Sequence, residues 1–231
     1  MSIVRTIQPP LNKAMYFNGV NAYVEVPISP LTDKVTVEAW VYHIDGQPSG
    51  YFAGIVSNLN GKSNFNRFLI TSTAVLFQLS IGGTIYNHQK TGLPSLRNAW
   101  HHYVATYDGT IVKLFLDGEE IYSGSQTGNL DSETTKPTIG WGSTSTSYYH
   151  LKGMSGKVRI YNQALSRTEI RHNMLNPNNP IRDGLVLWID ARACDASKNV
   201  CWDLSGNGNH GTMYNVQIVT LSNPVRVGGT L

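Results

Sequence analysis

Residues suited to holding a ligand concentrate in one stretch of this sequence. GWGSTSTSYYH, residues Gly140 to His150, places Trp141, Tyr148, Tyr149 and His150 among glycines, serines and threonines. Flat aromatic rings stack on the apolar faces of sugars, and hydroxyls and amides hydrogen-bond the sugar edges. Exposed aromatics also mark protein interfaces. The stretch reads as a loop, and loops on a rigid scaffold commonly carry function. Trp141, Tyr148, Tyr149 and His150 are therefore the candidate ligand-binding residues, for a glycan or for a protein partner. The plainer alternative is that Trp141 caps a core while the tyrosines pack on a neighbouring loop or subunit.

Catalytic constellations are missing. Glycoside hydrolysis needs two carboxylates flanking one bond. Glu25 and Glu38 stand singly, and the acids of LDGEEI belong to a hairpin turn. His101 and His102 are adjacent, so on one strand they point to opposite faces. There is no Gly-x-Ser-x-Gly elbow and no His-Glu-x-x-His run. No catalytic residue is assigned, and the chain is expected not to be an enzyme.

Cys194 and Cys201 stand seven positions apart. Metal sites usually combine a Cys-x-x-Cys pair with further Cys or His, and only His210 is near. A disulfide closing a short loop and a pair of free thiols fit this spacing equally well.

The elements that must position these groups are strands. VTVEAWVYH alternates, with Val35, Val37, Ala39 and Val41 on a core face and Thr36, Glu38, Trp40 and Tyr42 on the other. AWHHYVATY reads similarly. IVKLFLDGEEIYSG is a hairpin around Asp117-Gly118, because both turn positions tolerate positive φ. NRFLITS, AVLFQLSIGG, KVRIYN and GLVLWIDA are further strands, as are TMYNVQIVTL and PVRVGG near the end. One segment differs. In LSRTEIRHNML, Ser166 precedes Glu169 by three residues, the spacing of a capping box. Leu165, Ile170 and Met174 form the apolar stripe of this helix, and the prolines of NPNNP end it. Turn signals every 8–12 residues suit a sandwich or barrel.

In this order, AMYFNGVNAYVEVP, VTVEAWVY, WHHYVATYDGTIVKLFLDGEEIYSG, TIGWG and GKVRIYNQALSRTEI resemble the laminin-G-like domains of the concanavalin A-like jelly-roll superfamily. The likeness spans residues 14–175. It implies an all-β fold, a two-sheet antiparallel jelly-roll sandwich with one short helix. In that family a segment like GLVLWIDA…WDLSGNGNHGT normally comes first. Here it follows the helix. The expectation is one domain over residues 1–231, with residues 184–231 supplying strands usually contributed from the front. Strand exchange with a neighbouring subunit and a small separate appendage are the other readings.

The resemblance also raises calcium. Many relatives bind it through acids near the FNGVNAY segment, together with the Gly/Asn-rich loop. Here the corresponding residues are Asn18, Asn21 and Ala22, so the acids are replaced. Asp203 and Asn207 complete the candidate set of Asn18, Asn21, Asp203 and Asn207. Calcium wants six to eight oxygens, usually including carboxylates, and one carboxylate among amides makes a weak site. No cofactor is expected, and Ca²⁺ is the one ion this loop offers to hold. The alternative is that these Asn and Gly residues serve only tight turns.

Composition narrows the class. Charged residues are 14% of the 231, and the net charge is +3 with no basic run, which excludes a nucleic-acid groove. No apolar run approaches a membrane span. The low charge suits an extracellular or particle surface, yet MSIVRTIQPPLNKAMYF has no signal-peptide pattern. A virion or extracellular surface location, reached without a conventional signal peptide, resolves this. The leading expectation is a non-catalytic structural or adhesive virion protein (capsid, decoration or tail). It acts through self-assembly or protein partners, and through glycans. The alternative is a monomeric, lectin-like carbohydrate-binding protein.

Overall fold

Alternating hydrophobicity makes the sheets, and the one capped segment makes a helix that covers the outer face of one of them. The structure is a computed structural model that describes residues 11–29, 31, 33–44, 52–58, 66–131, 136–141 and 149–221. In chain order the strands begin with β1 Lys13–Asn18, β2 Tyr23–Glu25, β3 Val35–His43, β4 Ala53–Asn58, β5 Arg67–Ile70 and β6 Val75–Ile81. They continue with β7 Thr84–Lys90, β8 Trp100–Tyr107, β9 Ile111–Leu116, β10 Glu119–Ser125, β11 Pro137–Ile139 and β12 Lys152–Tyr161. Helix α1, Arg167–Leu175, follows. The chain then forms β13 Leu185–Asp195, β14 Val200–Asp203, β15 Gly211–Tyr214 and β16 Gln217–Thr220. Of the expected strands, PVRVGG lies outside the described residues.

The strands hydrogen-bond in the order β10-β9-β8-β3-β12-β13-β14-β15-β2-β11-β4-β5-β6-β7. The two halves pack face to face over a core that includes Phe17, Val24, Val37, Phe68, Phe77 and Leu187. β13 joins them. Its first half pairs with β12, and after a register shift past Ile189 its second half pairs with β14. β15 then lies on β2, and β16 lies on β1. Residues 185–220 thus complete the sandwich of their own chain.

Turn and cap chemistry work as the sequence implies. Asp117 and Gly118 both have positive φ, 51° and 78°. The Asp117 carboxylate accepts the His102 N–H at 2.9 Å and contacts His101 Nδ1 at 2.8 Å. At the helix start the Glu169 N–H donates to Ser166 Oγ, and the Ser166 N–H donates to Glu169 Oε2 at 2.7 Å. TMYNVQIVTL forms two strands, because Asn215 adopts φ 55° between them.

The second face of β3 carries Thr36, Glu38, Trp40 and Tyr42, as the alternation implies. Helix α1 and the segment after it cover this face, burying Thr36, Glu38 and Trp40. Glu38 has no second carboxylate among these contacts, but it has basic and amide partners. Its carboxylate pairs with Arg159, accepts Asn173 Nδ2–H at 2.7 Å and lies 3.1 Å from His102 Nε2. Arg159 also donates to the Pro177 carbonyl, tying the post-helix turn to the sheet. Burial alone would raise the Glu38 carboxyl, but Arg159, His102 and Asn173 overrule it and hold the group at about 2. Beside it Lys157 pairs with Asp190, which Arg192 also grips. Burial pulls Lys157 down to about 8, against the opposing pull of Asp190. These groups fasten the helix layer to the sheet, and solvent reaches none of Glu38, Arg159, Lys157 and Asp190.

Cys194 and Cys201 face each other on β13 and β14 and form a disulfide. Closing a loop this short stabilises by about 2.5 kcal/mol in the chain-entropy description. Replacing both cysteines with serine is expected to cost about that much, read from urea denaturation without reductant. An unchanged midpoint would show that the β13–β14 hairpin is held entirely by its packing.

Candidate functional site

The outer face of the second sheet, over β14, β15, β2 and β11, carries the exposed aromatics Tyr214 and Trp202. Alternation sets the faces: Val24 and Met213 point into the core, while Tyr23, Glu25, Thr212 and Tyr214 point out. The β15–β2 register sets Tyr214 directly opposite Tyr23. Their rings stack with centroids 4.6 Å apart and planes 14° apart. Trp141 joins them, 4.9 Å from the Tyr23 ring. On its other side His150 stacks on Trp141 at 5.0 Å and 9°. Tyr214 remains 39% exposed, so the ring stack is open to a ligand.

One glycine places Trp141. Gly140 ends β11 at φ 86°, and a Cβ there would sit 2.3 Å from the Phe17 ring. Both the positive φ and the close approach require glycine. Trp141 and His150 face each other in an antiparallel bridge. Burial holds the His150 imidazole below its ordinary value, against a hydrogen bond with the Ala22 backbone. A neutral, buried ring therefore supports Trp141 from behind.

Of the expected ligand-binding residues, the structure brings Trp141 and His150 into this cluster. Tyr149 lies under the Arg67 guanidinium, 5.4 Å from it, next to a ladder of Arg67, Gln78 and Asn87 across β5, β6 and β7. Tyr148 lies outside the described residues. Sequence reasoning missed Tyr23 and Tyr214. Their alternation signalled outward faces, but only the pairing of β15 with β2 makes them neighbours.

Between the rings and the next exposed side chains lies a polar row. Glu25, Thr212 and Thr138 share a register across β2, β15 and β11. Glu25 pairs with Lys136 at 2.9 Å, so the row carries little net charge.

The four candidate metal residues do not converge. Asn18 and Asn21 lie in the turn before β2, near the C-terminal end of β15, where Asn215 donates to the Asn21 carbonyl at 3.2 Å. Asp203, at the end of β14, and Asn207, in the loop after it, lie at the opposite end of β15. A four-residue strand separates the two groups by about 10 Å. Each group is also occupied by its own turn. Asn18 Oδ1 accepts the N–H groups of Val20, Asn21 and Ala22 at 2.9–3.1 Å. The buried Asp203 carboxylate accepts from the Trp188, Ser205 and Asn209 N–H groups and from Ser205 Oγ, all within 2.7–3.0 Å. Asn207 Nδ2 donates to the Leu185 carbonyl at 2.9 Å and the Val186 carbonyl at 3.1 Å. The Gly/Asn-rich loop is stitched to the start of β13 by these bonds. Among the described residues, no group of three or more His, Cys, Asp or Glu is arranged to hold a metal ion.

A cleft of about 410 Å³ opens beside this loop, lined in part by Ser29, Asn162, Arg182, Asn207 and Asn209. Arg182 lies over the Trp188 ring at 4.8 Å and donates to the Leu204 carbonyl at 3.0 Å.

Among solved structures, the chain is similar to a proposed carbohydrate-binding protein from Bacteroides ovatus. The two share 20% identity and a TM-score of 0.69, over 94% of this chain and 62% of that one. Domains LG4-5 of the mouse laminin α1 chain match at 13% identity and TM-score 0.54, over 68% of this chain and 44% of theirs. Domain 4 of an extracellular arabinanase from Geobacillus stearothermophilus, solved with arabinotriose, matches at 17% identity and TM-score 0.53. That match covers 68% of this chain and 74% of the domain. The chain thus spans less than two thirds of the first two. No curated protein sequence matches it. The model of the concanavalin A-like lectin/glucanases superfamily, laminin-G type, matches residues 18–171. With that match over most of its length, and with its antiparallel sandwich and the single helix among the described residues, the chain belongs to this superfamily.

Proposed function

We propose that this protein is a non-catalytic carbohydrate-binding domain whose ligand sits on the Tyr23, Tyr214 and Trp141 rings. The open ring stack carries the reading. The exposed outer ring, Tyr214, presents a flat apolar face backed by Tyr23 and Trp141, beside the hydrogen-bonding side chains of Glu25, Lys136 and Thr212, in an almost neutral setting. A rigid sheet holds them, so little ordering cost opposes binding. The buried charges under α1 have no access to a substrate, which favours binding over turnover. The particle-surface role expected from composition has no counterpart in the three similar structures described above. The lectin-like alternative does, in the Bacteroides protein and in the arabinanase domain, and it is the one adopted here.

Glycan-array screening followed by calorimetry tests this. Tyr23→Ala is expected to weaken the best ligand at least about tenfold, a typical cost of removing a central anchor, with the fold intact by circular dichroism. An array without any glycan signal would reject the function, and so would a ligand that Tyr23→Ala binds as well as the parent.

A further inference from the structure

A second aromatic station lies on the same sheet face. The disulfide-linked Cys201 points into the core, so its neighbours Val200 and Trp202 on β14 point outward. Cys201 pairs with Gly211, which brings Trp202 opposite His210, and the two rings meet edge to face at 4.8 Å. Trp202 is 43% exposed. A large, stiff apolar ring left in solvent, in a segment tied by a disulfide, has no role in the core.

The strand register gives the spacing. Tyr214 stands four residues beyond His210 on β15, which at the rise of an extended strand is about 13 Å. Between the two stations lie Thr212, exposed on β15, Val200 on β14, and the Glu25–Lys136 pair. Aromatic and hydrogen-bonding groups thus alternate along the face, over a distance greater than one sugar ring covers. His210 adds a donor. Its Nδ1 accepts the Asp203 N–H at 3.1 Å, which places the ring proton of the neutral form on Nε2.

Resting on the carbohydrate-binding reading above, we propose that the ligand is an extended, uncharged oligosaccharide. One unit stacks on the Tyr23–Tyr214 rings and a later unit on Trp202, and the chain between them crosses the polar row. Charge matching supports an uncharged chain, because among the described residues the ionised side chains between the stations, Glu25 and Lys136, neutralise each other. The disulfide keeps Trp202 in place, so the two stations form a preorganised track.

Calorimetry with length series of arabino-, xylo- and cello-oligosaccharides, from monosaccharide to hexasaccharide, tests this on the full chain. Affinity in the responding series is expected to rise steeply once the chain is long enough to reach Trp202. Trp202→Ala is expected to lower affinity for the hexasaccharide about tenfold and leave the mono- and disaccharide unchanged, while Tyr23→Ala weakens every length. Trp202→Phe, which keeps a ring, is expected to recover part of the loss. Thermal melts of the Trp202 variants confirm that the exposed position leaves the fold intact. Binding that does not depend on length, or that Trp202→Ala leaves unchanged, overturns the second station while leaving the first in place. No binding of any neutral or charged glycan overturns both readings. Preference for uronic-acid or sulfated chains, weakened by salt, overturns the uncharged ligand. Self-association abolished by Trp202→Ala assigns the ring to a protein contact and overturns the glycan track.

Discussion

Arg159→Leu is expected to cost about 3–5 kcal/mol of stability, the usual penalty for leaving a buried charge without its partner. Arg159 and Glu38 are each about 1% exposed, so water cannot replace the lost guanidinium. The helix layer suffers with it, since Arg159 also holds the Pro177 carbonyl. Acid titration of the parent gives a linked result. The Glu38 carboxyl titrates near 2 in the fold against 4.5 in the free group. Its contribution is therefore complete above pH 4.5 and is lost as pH falls through 2. The difference is on the order of 3 kcal/mol. In Glu38→Gln this acid-range loss is expected to vanish, because the position no longer titrates. Urea melts between pH 2 and 7 read both effects. A midpoint for Arg159→Leu within error of the parent would show that the network does not hold the helix layer.

Truncation after Asp183 is expected to abolish cooperative folding. The family match ends at residue 171, yet the sandwich does not. Without β13 the edge of β12 loses its partner, and Leu187, Ile189 and Trp188 leave the two faces of the first sheet. Lys157 loses Asp190 and becomes a buried, unpaired cation. Without β15 the β2 strand is an open edge, and the Tyr23 stack loses Tyr214. Exposed edges and apolar faces favour aggregation. Differential scanning calorimetry decides the matter. A truncated chain with a sharp, parent-like transition would make residues 184–231 an accessory segment. Recovery of the transition on adding a peptide of residues 184–221 would show that these strands act as the missing part of one core.

The sandwich, the short helix and the Asp117-Gly118 hairpin were legible because each has a local cause. Period-two alternation assigns residues to faces, Ser166 and Glu169 satisfy a helix start, and positive φ selects the turn residues. The ligand loop was legible in part, through Trp141 and His150. The β4 and β7 strands were not. β7 is an exposed edge, TIYNHQK, whose polar residues carry no burial signal. Glu38 seemed solitary because Arg159 lies 121 residues away. The DLSGNGNHGT loop read as a place for calcium because oxygen-bearing residues cluster there in sequence. In space, backbone N–H groups of β13 and of the loop itself take up the Asp203 oxygens.

By itself the sequence determined which residues face inward, where the chain turns, where the helix starts and which family the fold belongs to. The tertiary structure decided what those residues meet. Alternation along a strand defines its two faces but says nothing of which strand lies beside it or in what register. The pairings of β15 with β2 and of β14 with β15 join segments nearly two hundred residues apart in the first case and neighbours in the second. Those two registers place Tyr214 on Tyr23 and set Trp202 on the same face. The first depends on the whole sandwich closing around its core, so no local stretch of the chain encodes it.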